Sequence, residues 1–315
     1  MSNKETYLKF CASNPDIPVF SQPWWLDVVC KKWDVAIAYK GEHITGTWAY
    51  PVEKKLGVTL MRTPKLTPYL GPVIHFPADL KESKADNFEH ETVSELLKQL
   101  PKAKFWHLAM PPGMKQAGLF KNNNILSQVQ QTFLLELFES EETLLANMKD
   151  TLRRNVRMAE DEVILTNSPE YLKDLYHFQK QTLSKKGKSI PFSYKEMQHI
   201  MKACLEHNSC ALWVAKGKTD KKIHGIVWQV WDNKTSYYFM GAQNPNSNSN
   251  RSMSLLLWNT MREAKKMGIS QFDLEGSMDD GVERFFRNFG GDRVLYMVLM
   301  KNKSFIWRLK QMILK

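Results

Sequence analysis

Cysteine is scarce in this sequence, and the few cysteines form no recognisable motif. Only four of the 315 residues are cysteine, and of these only Cys204 and Cys210 are close in sequence. Four cysteines in a chain of this length do not form the pattern of a disulfide framework. Neither the CxxC nor the HExxH spacing of a zinc site occurs. The sequence therefore predicts no metal site, and it predicts that the four thiols are small buried hydrophobes in a reducing cytosol.

Long hydrophobic runs are also absent. No apolar stretch approaches the roughly 20 residues that a helix needs to span a bilayer. The first residues, MSNKETYLKFCASNPDIPVF, lack the charged segment followed by an apolar segment that marks a secretory signal. We therefore expect a cytoplasmic protein.

Acidic residues are fewer than basic residues in this sequence. Lys and Arg total 44 against 33 for Asp and Glu, which gives a formal net charge of +11. This excess favours a polyanionic partner, and the candidates are nucleic acid, a phosphorylated substrate and an anionic membrane surface.

The composition that remains is globular. Hydrophobic residues make up 43% of the chain and charged residues 24%, and roughly 150 residues per domain predicts two domains. A second unit begins near Gln131, so we place the domains at residues 1–130 and 131–315. Helix and strand patterns alternate in both halves, which predicts an α/β (α+β) fold.

The second half has a clear order of predicted elements. A strand at Thr132–Phe138 precedes a basic helix at Thr151–Glu160, and a polar loop at Gln243–Asn250 precedes an amphipathic helix. The other strands are predicted at Cys210–Lys216, Ile223–Trp231, Ser236–Ala242, Gln271–Leu274 and Val294–Met300, and the other helices at Glu170–Leu183, Tyr194–His207, Arg251–Met267 and Val282–Phe289.

Several segments resemble the FemABX family of acyltransferases. Thr151–Glu160 (TLRRNVRMAE) resembles a TRRNIRKAE-like segment of that family, and FDLEGS and GVERFFRNFGG within Gly268–Gly291 resemble its end motifs. Ser21–Trp25 and Thr67–Pro72 are similar to its N-terminal half. The order of strands and helices in the second half also resembles a GNAT acyltransferase domain.

The resemblance implies two GNAT-like domains with mixed, largely antiparallel sheets and a cleft between them. FemABX members transfer an aminoacyl group from aminoacyl-tRNA to an amine of a peptidoglycan precursor, without a bound cofactor. Close relatives use acyl-CoA instead. The implied partners are thus an anionic donor, tRNA or CoA, and a phosphorylated or lipid-linked acceptor.

Basic and aromatic residues are the candidates for substrate binding. Clustered guanidinium groups suit phosphate, and the alternative is a solvated helix face paired with acidic neighbours. The resemblance adds a lysine near the end of the first helix, a loop lysine and a tyrosine within Thr67–Pro72. Tyr237 and Tyr238 would lie on opposite faces of a strand, so only one of them can reach the cleft. The substrate-binding candidates are Lys31, Tyr69, Arg153, Arg154, Arg157, Lys188 and Tyr238.

The loop before Arg251 bears on the identity of the donor. A GNAT enzyme that uses CoA needs a glycine-rich turn there, so that backbone N–H groups cradle the pyrophosphate. Residues 246–253 contain no glycine, which favours aminoacyl-tRNA over acetyl-CoA or another acyl-CoA. Arg251 and Ser252 could still meet phosphate, and Phe285 lies where the family carries a Phe-Lys pair at the tRNA end.

Two residues are candidates for the chemistry. Glu275 and Asp273 alternate with apolar residues, so both carboxylates would point to one side of a strand. Glu275 is the candidate general base, and a structural salt bridge is expected for Asp273. Arg287 is the candidate cation at the tetrahedral intermediate, in place of the family's lysine. No serine has a nucleophile context, so direct attack by the amine is expected.

The last residues, Ser304–Lys315, predict a basic amphipathic helix that could lie on the inner face of an anionic membrane or pack on the first domain.

Three functions remain open. The first is a FemABX-type aminoacyltransferase acting on a cell-wall precursor. The second is an acyl-CoA-dependent N-acyltransferase acting on an envelope polysaccharide or small amine. The third is a catalytically inert GNAT-like protein that binds nucleic acid or membrane.

Overall fold

The chain folds into two units. The structure, a computed structural model, describes residues 1–302 apart from Leu56, Asn248, Asn250 and Ser277. The first unit contains Met1–Gln130 and the chain from Leu295 onward, and the second contains Gln131–Val294. The end of the chain thus differs from the domain boundaries predicted at 1–130 and 131–315. The physical reason is that the last strand pairs with a strand of the first unit, Val298 opposite Ala109.

The first unit holds helices and strands in alternation. Its helices are α1 (Asn3–Ser13), α2 (Pro23–Val29), α3 (Glu82–Gln99) and α4 (Ala117–Asn122). Its strands are β1 (Trp33–Lys40), β2 (His43–Pro51), β3 (Glu53–Lys55), β4 (Val58–Arg62), β5 (Val73–Ile74) and β6 (Phe105–Ala109). Strand β7 (Leu126–Glu136) then carries the chain into the second unit.

The second unit contains the longer run of elements. Its helices are α5 (Glu141–Asn147), α6 (Asp150–Glu162), α7 (Leu172–Lys185), α8 (Tyr194–Glu206), α9 (Ser252–Lys266) and α10 (Asp280–Arg287). Its strands are β8 (Val163–Asn167), β9 (Cys210–Gly217), β10 (Ile223–Trp231), β11 (Thr235–Gln243) and β12 (Gln271–Asp273). Strand β13 (Asp292–Asn302) returns the chain to the first unit.

Both units contain mixed, largely antiparallel sheets, which confirms the predicted fold class. In the first unit β1, β2 and β5 pair antiparallel, and β4 pairs parallel with β6. In the second unit the order is β7-β12-β11-β10-β9-β8, where the β11–β12 pair is parallel and the other described pairs of this run are antiparallel.

Helix α9 shows why the sequence folds this way. Its apolar residues recur at helical spacing, and Leu256, Leu257 and Ala264 are fully buried against the sheet of the second unit. Phe133 and Phe272 belong to the same core. The predicted helix Arg251–Met267 therefore lies within one residue of the observed Ser252–Lys266.

Some predicted elements differ from the structure or lie outside the described residues. The strand predicted at Thr132–Phe138 is observed at Leu126–Glu136. The sequence pattern did not reveal its first residues because they are exposed and form no buried face. Strand β8 was not predicted at all. The predicted helix Ser304–Lys315 lies outside the described residues. None of the helices described is long and apolar enough to cross a membrane.

Candidate active site

The candidate active site lies in the second unit, where strands β11 and β12 part. Their parallel pairing ends at Tyr237 opposite Asp273, although β11 continues to Gln243. Beyond this point the chain stays with β7, because the backbone N–H of Leu274 donates to the carbonyl oxygen of Phe133 over 3.0 Å. Tyr238 and Glu275 are thus placed just past the last backbone pair.

A tight turn follows β12 and presents Glu275. The backbone of Glu275 is left-handed, with φ of 54°, a conformation that costs a non-glycine residue about 1–2 kcal/mol. The next residue, Gly276, has φ of 50°. A Cβ built on Gly276 would overlap the carbonyl oxygen of Gln131, so only glycine fits this close approach.

The buried carboxylate of Asp273 forms hydrogen bonds that stabilise this turn. Its side chain is 1% exposed, and its Oδ1 accepts hydrogen bonds from the Thr132 hydroxyl over 2.5 Å and from the Glu275 backbone N–H over 2.7 Å. The sequence predicted a salt bridge for this residue, whereas the structure shows these two hydrogen-bond donors. Thr132 was not singled out from the sequence, because it lies 141 residues away.

The carboxyl group of Glu275 is poised to accept a proton. Its Oε1 is buried and has no hydrogen-bond partner among the described residues. Burial, and then the charge of Asp273, raises the pKa of Glu275 well above its usual range. A carboxyl group whose pKa is raised toward the working pH is suited to general acid–base catalysis.

Tyr238 lies next to this carboxyl group. Burial raises the pKa of Tyr238, and the charge of Glu275 raises it further. A Cβ built on Gly241 would overlap the Tyr238 hydroxyl, so the phenol lies against the bare backbone of β11. Tyr237, one residue earlier, points to the opposite face and donates to the Asp232 carboxylate over 3.2 Å.

Helix α10 packs aromatic rings next to Tyr238. The buried ring of Phe286 meets Tyr238 edge-on, with ring centroids 5.4 Å apart, and Phe285 packs against Phe289. Arg287 is exposed and lies 3.9 Å from Glu283. Among the described residues no contact joins Arg287 to Glu275 or Tyr238, so its catalytic role stays a prediction.

The loop after α7 reaches the start of α10. Lys186 Nζ lies 2.7 Å from the Asp279 carboxylate, and Asp279 caps α10 by accepting from the backbone N–H groups of Gly281 and Val282. Lys188 is exposed in the same loop, two residues beyond Lys186. The loop that carries Lys188 thus contacts the N-cap residue of the helix that carries Phe285.

The arginines of α6 divide into two kinds. Arg153 is bound by Asp150 and donates to the carbonyl oxygen of Ala146 over 2.7 Å. Arg154 and Arg157 are exposed, and the contacts described for this part of the chain include no carboxylate partner for either. These two guanidinium groups are therefore available to an external anion.

The start of α9 already carries an internal anion. The Glu162 carboxylate forms an ion pair with Arg251 and accepts from the Ser249 hydroxyl over 3.3 Å. Ser252, the first residue of α9, is fully buried. Its hydroxyl has no hydrogen-bond partner among the described residues. Glu162 was missed in the sequence because it lies 89 residues from Arg251.

The two candidates in the first unit have different settings. Lys31 is exposed directly after α2. Tyr69 is buried, and its ring lies 5.1 Å from that of Tyr296 in an edge-on contact. Among the described residues no group of three or more His, Cys, Asp or Glu side chains could hold a metal ion.

The raised pKa of Glu275 has a consequence for stability. Between the usual carboxyl pKa and the raised one, the folded chain keeps a proton that the unfolded chain releases. We therefore expect the free energy of unfolding to fall as pH rises through this window, and Glu275→Gln to remove that loss. Urea unfolding from about pH 4 to about pH 8 measures it. The matched control is Glu263→Gln on α9, which should keep the wild-type slope; an unchanged slope in Glu275→Gln would contradict the raised pKa.

Comparison with protein families identifies a domain in the second unit. Residues 146–287 match the family described as an acetyltransferase (GNAT) domain. This segment contains α6, β11, β12 and α10, and therefore Tyr238, Glu275 and the arginines of α6. No curated protein sequence matches the chain.

Solved structures share the fold at low sequence identity. FemX aligns with a TM-score of 0.67 at 13% identity, covering 100% of this chain and 99% of that chain. The C-terminal DUF2156 domain of a protein named as a lysylphosphatidylglycerol synthetase from Agrobacterium fabrum aligns with a TM-score of 0.55 at 14% identity, covering 89% and 87%. A tandem GNAT protein of clavulanic acid biosynthesis aligns with a TM-score of 0.52 at 9% identity, covering 96% of each chain.

Proposed function

We propose that this chain is an acyltransferase that transfers an aminoacyl group from aminoacyl-tRNA to an amine of a cell-wall precursor. The observation that carries the proposal is the Glu275 carboxyl group, buried and unpartnered at one oxygen, beside Tyr238 and just past the last β11–β12 pair. We propose that it acts in the cytoplasm, where charged tRNA is found.

The proposed reaction is a direct displacement at the aminoacyl ester. The nitrogen lone pair of the acceptor amine attacks the ester carbonyl carbon, and the Glu275 carboxylate takes the proton that the nitrogen loses. The tetrahedral intermediate collapses to an amide, and protonated Glu275 returns the proton to the departing ribose oxygen. The Tyr238 phenol stays protonated at neutral pH, since its pKa is raised, and it can donate a hydrogen bond to the developing oxyanion.

The start of α9 supports tRNA rather than CoA as the donor. Backbone N–H groups at a helix N-terminus suit a pyrophosphate because the helix dipole favours negative charge there. Here Glu162 brings a carboxylate to Arg251 and Ser249, and a pyrophosphate at this position would face like charge. The absence of glycine from residues 246–253 points the same way.

The exposed arginines of α6 supply a place for the donor's phosphates. Arg154 and Arg157 lie on the outer face of α6, three residues apart and so on one side of the helix. Arginine binds phosphate through paired, planar donors. The Agrobacterium fabrum neighbour is named for a lysylated product, which agrees with the transfer of an aminoacyl group.

The second candidate function is transfer from acyl-CoA to an envelope polysaccharide or small amine. The match of residues 146–287 to a GNAT acetyltransferase domain favours it, and so does the buried, unpartnered hydroxyl of Ser252 at the start of α9. In this alternative the ion pair between Arg251 and Glu162 would open when CoA binds.

Titration calorimetry with two donors at physiological salt tests the proposal. We expect an aminoacyl-tRNA pool to bind and acetyl-CoA not to bind. Arg154→Ala and Arg157→Ala should each weaken tRNA binding and lower the slope of log affinity against log salt by about 1, whereas Arg262→Ala, a matched control on α9, should not.

Two results would contradict the proposal. Tight binding of acetyl-CoA would favour the second function. Salt-dependent binding of RNA irrespective of its aminoacyl group, without any acyl transfer, would favour an inert nucleic-acid-binding protein.

A further inference from the structure

We propose that Asp273 is the positioning residue of Glu275, and that its buried carboxylate fixes the turn which presents the Glu275 carboxyl group to the acceptor amine. The inference deepens the proposed function and rests on it for the role of Glu275. It assigns to Asp273 no contact with substrate. Its basis is the set of contacts around the turn that follows β12.

The first step is the hydrogen bond between the two residues. Asp273 Oδ1 accepts the backbone N–H of Glu275 over 2.7 Å, and Glu275 has a left-handed backbone with φ of 54°. This conformation is costly for a residue with a side chain. The hydrogen bond to a charged oxygen offsets part of that cost, because charge-assisted hydrogen bonds are stronger than neutral ones.

The second step is the anchoring of Asp273 itself. The Thr132 hydroxyl donates to the same Oδ1 over 2.5 Å, and Asp273 is paired with Leu134 of β7 and Tyr237 of β11. Its side chain is 1% exposed. Neighbouring strands therefore hold the Asp273 backbone on both sides, and the Thr132 hydroxyl holds its carboxylate. The Glu275 N–H is directed toward that fixed carboxylate.

The third step is electrostatic. Among the described residues, the titratable groups that interact with Glu275 are Asp273 from β12 and Tyr238 from β11, while α10 contributes the apolar ring of Phe286 next to Tyr238. No cation among the described residues is a cause of the shift in the pKa of Glu275. The negative charge of Asp273 therefore holds the Glu275 proton more tightly, so one residue sets both the direction and the proton affinity of the carboxyl group.

Carboxyl titration by NMR on the full chain labelled with ¹³C at the Glu and Asp carboxyl carbons tests the proposal without any substrate. Asp273→Asn keeps the oxygen that accepts both hydrogen bonds and removes the charge. We expect the titration midpoint of Glu275, assigned by its absence in Glu275→Gln, to move to lower pH. Asp232→Asn, which removes a carboxylate from the β10–β11 turn, is the matched control and should leave the midpoint in place.

A second measurement covers the case in which Asp273→Asn does not fold. Thr132→Val removes the hydroxyl that donates to Asp273 Oδ1, so the backbone N–H of Glu275, which donates to the same oxygen, should exchange its hydrogen faster than in the wild type. An unmoved Glu275 midpoint in Asp273→Asn, an equal shift in Asp232→Asn, or an unchanged hydrogen-exchange rate of the Glu275 amide in Thr132→Val would overturn the inference.

The transfer assay separates this inference from the proposed function. In the pH–rate profile of aminoacyl transfer, Asp273→Asn should move the limb assigned to Glu275 in the same direction as the NMR midpoint. If the NMR midpoint moves but no transfer from aminoacyl-tRNA occurs in the wild type, the proposed function fails and the coupling of Asp273 to Glu275 stands. If transfer occurs and neither the midpoint nor the limb moves, the inference fails alone.

Discussion

Glu275→Gln is expected to lower kcat for aminoacyl transfer by about 100-fold or more, the usual contribution of a positioned general base, with little change in KM. Glutamine has nearly the same shape as glutamate and cannot take a proton from the attacking amine. The pH–rate profile adds a second readout. Because burial and Asp273 raise the pKa of Glu275, wild-type kcat should increase as pH rises through that pKa, and the variant should lose this limb.

Two controls make the result specific. The acceptor amine also loses a proton as pH rises, and Glu275→Gln should keep the limb that belongs to this amine. Glu263→Gln, on the solvent side of α9 beside Lys266, should keep the wild-type kcat and both limbs. A kcat within a few-fold of wild type in Glu275→Gln would remove Glu275 from the chemistry and leave catalysis to positioning and electrostatics.

Gly276→Ala is expected to lower the free energy of unfolding more than any other substitution proposed for this protein. Gly276 has φ of 50°, and an added Cβ would overlap the carbonyl oxygen of Gln131, a rigid backbone atom. The left-handed backbone costs alanine roughly 1–2 kcal/mol and the overpacking roughly 1–3 kcal/mol. We therefore expect the free energy of unfolding to fall by about 2–5 kcal/mol, measured by urea unfolding followed by tryptophan fluorescence.

Gly268→Ala is the matched control for this loss. Gly268 lies in the same unit with φ of 79°, and nothing lies within 4 Å of its added Cβ. Gly268→Ala should lower the free energy of unfolding only by the cost of placing alanine in a left-handed backbone, about 1–2 kcal/mol. Equal losses in the two variants would show that the close approach to Gln131 does not hold the turn after β12.

The order of elements in the second unit could be predicted because its apolar residues follow clear periods. The strands at Ile223–Trp231 and Cys210–Gly217 are buried along most of their length, and α9 buries Leu257, Met261 and Ala264 at helical spacing. Strand β8 was missed because Ile164 is exposed and the segment follows α6 without a turn residue. Periodicity indicates a buried face, and an exposed edge strand has little of one.

The candidate site was only partly predictable. The sequence placed Asp273 and Glu275 side by side through strand alternation, but the strand ends at Asp273 and a left-handed turn brings the Glu275 backbone to the Asp273 carboxylate. The dipeptide Glu275-Gly276 at the end of a strand was the available signal for such a turn. Contacts across long stretches of sequence, such as Thr132 with Asp273 or Glu162 with Arg251, have no local signature.

The measurement that tests the central claim most directly is a comparison of two labelled donors under single-turnover conditions. Wild-type protein is mixed with a lysine-containing muramyl-peptide precursor and either an aminoacyl-tRNA pool carrying labelled amino acids or labelled acetyl-CoA. The account predicts that label passes from tRNA to the precursor amine as a base-stable amide, and that none passes from acetyl-CoA. Transfer of label from acetyl-CoA with none from aminoacyl-tRNA would contradict it.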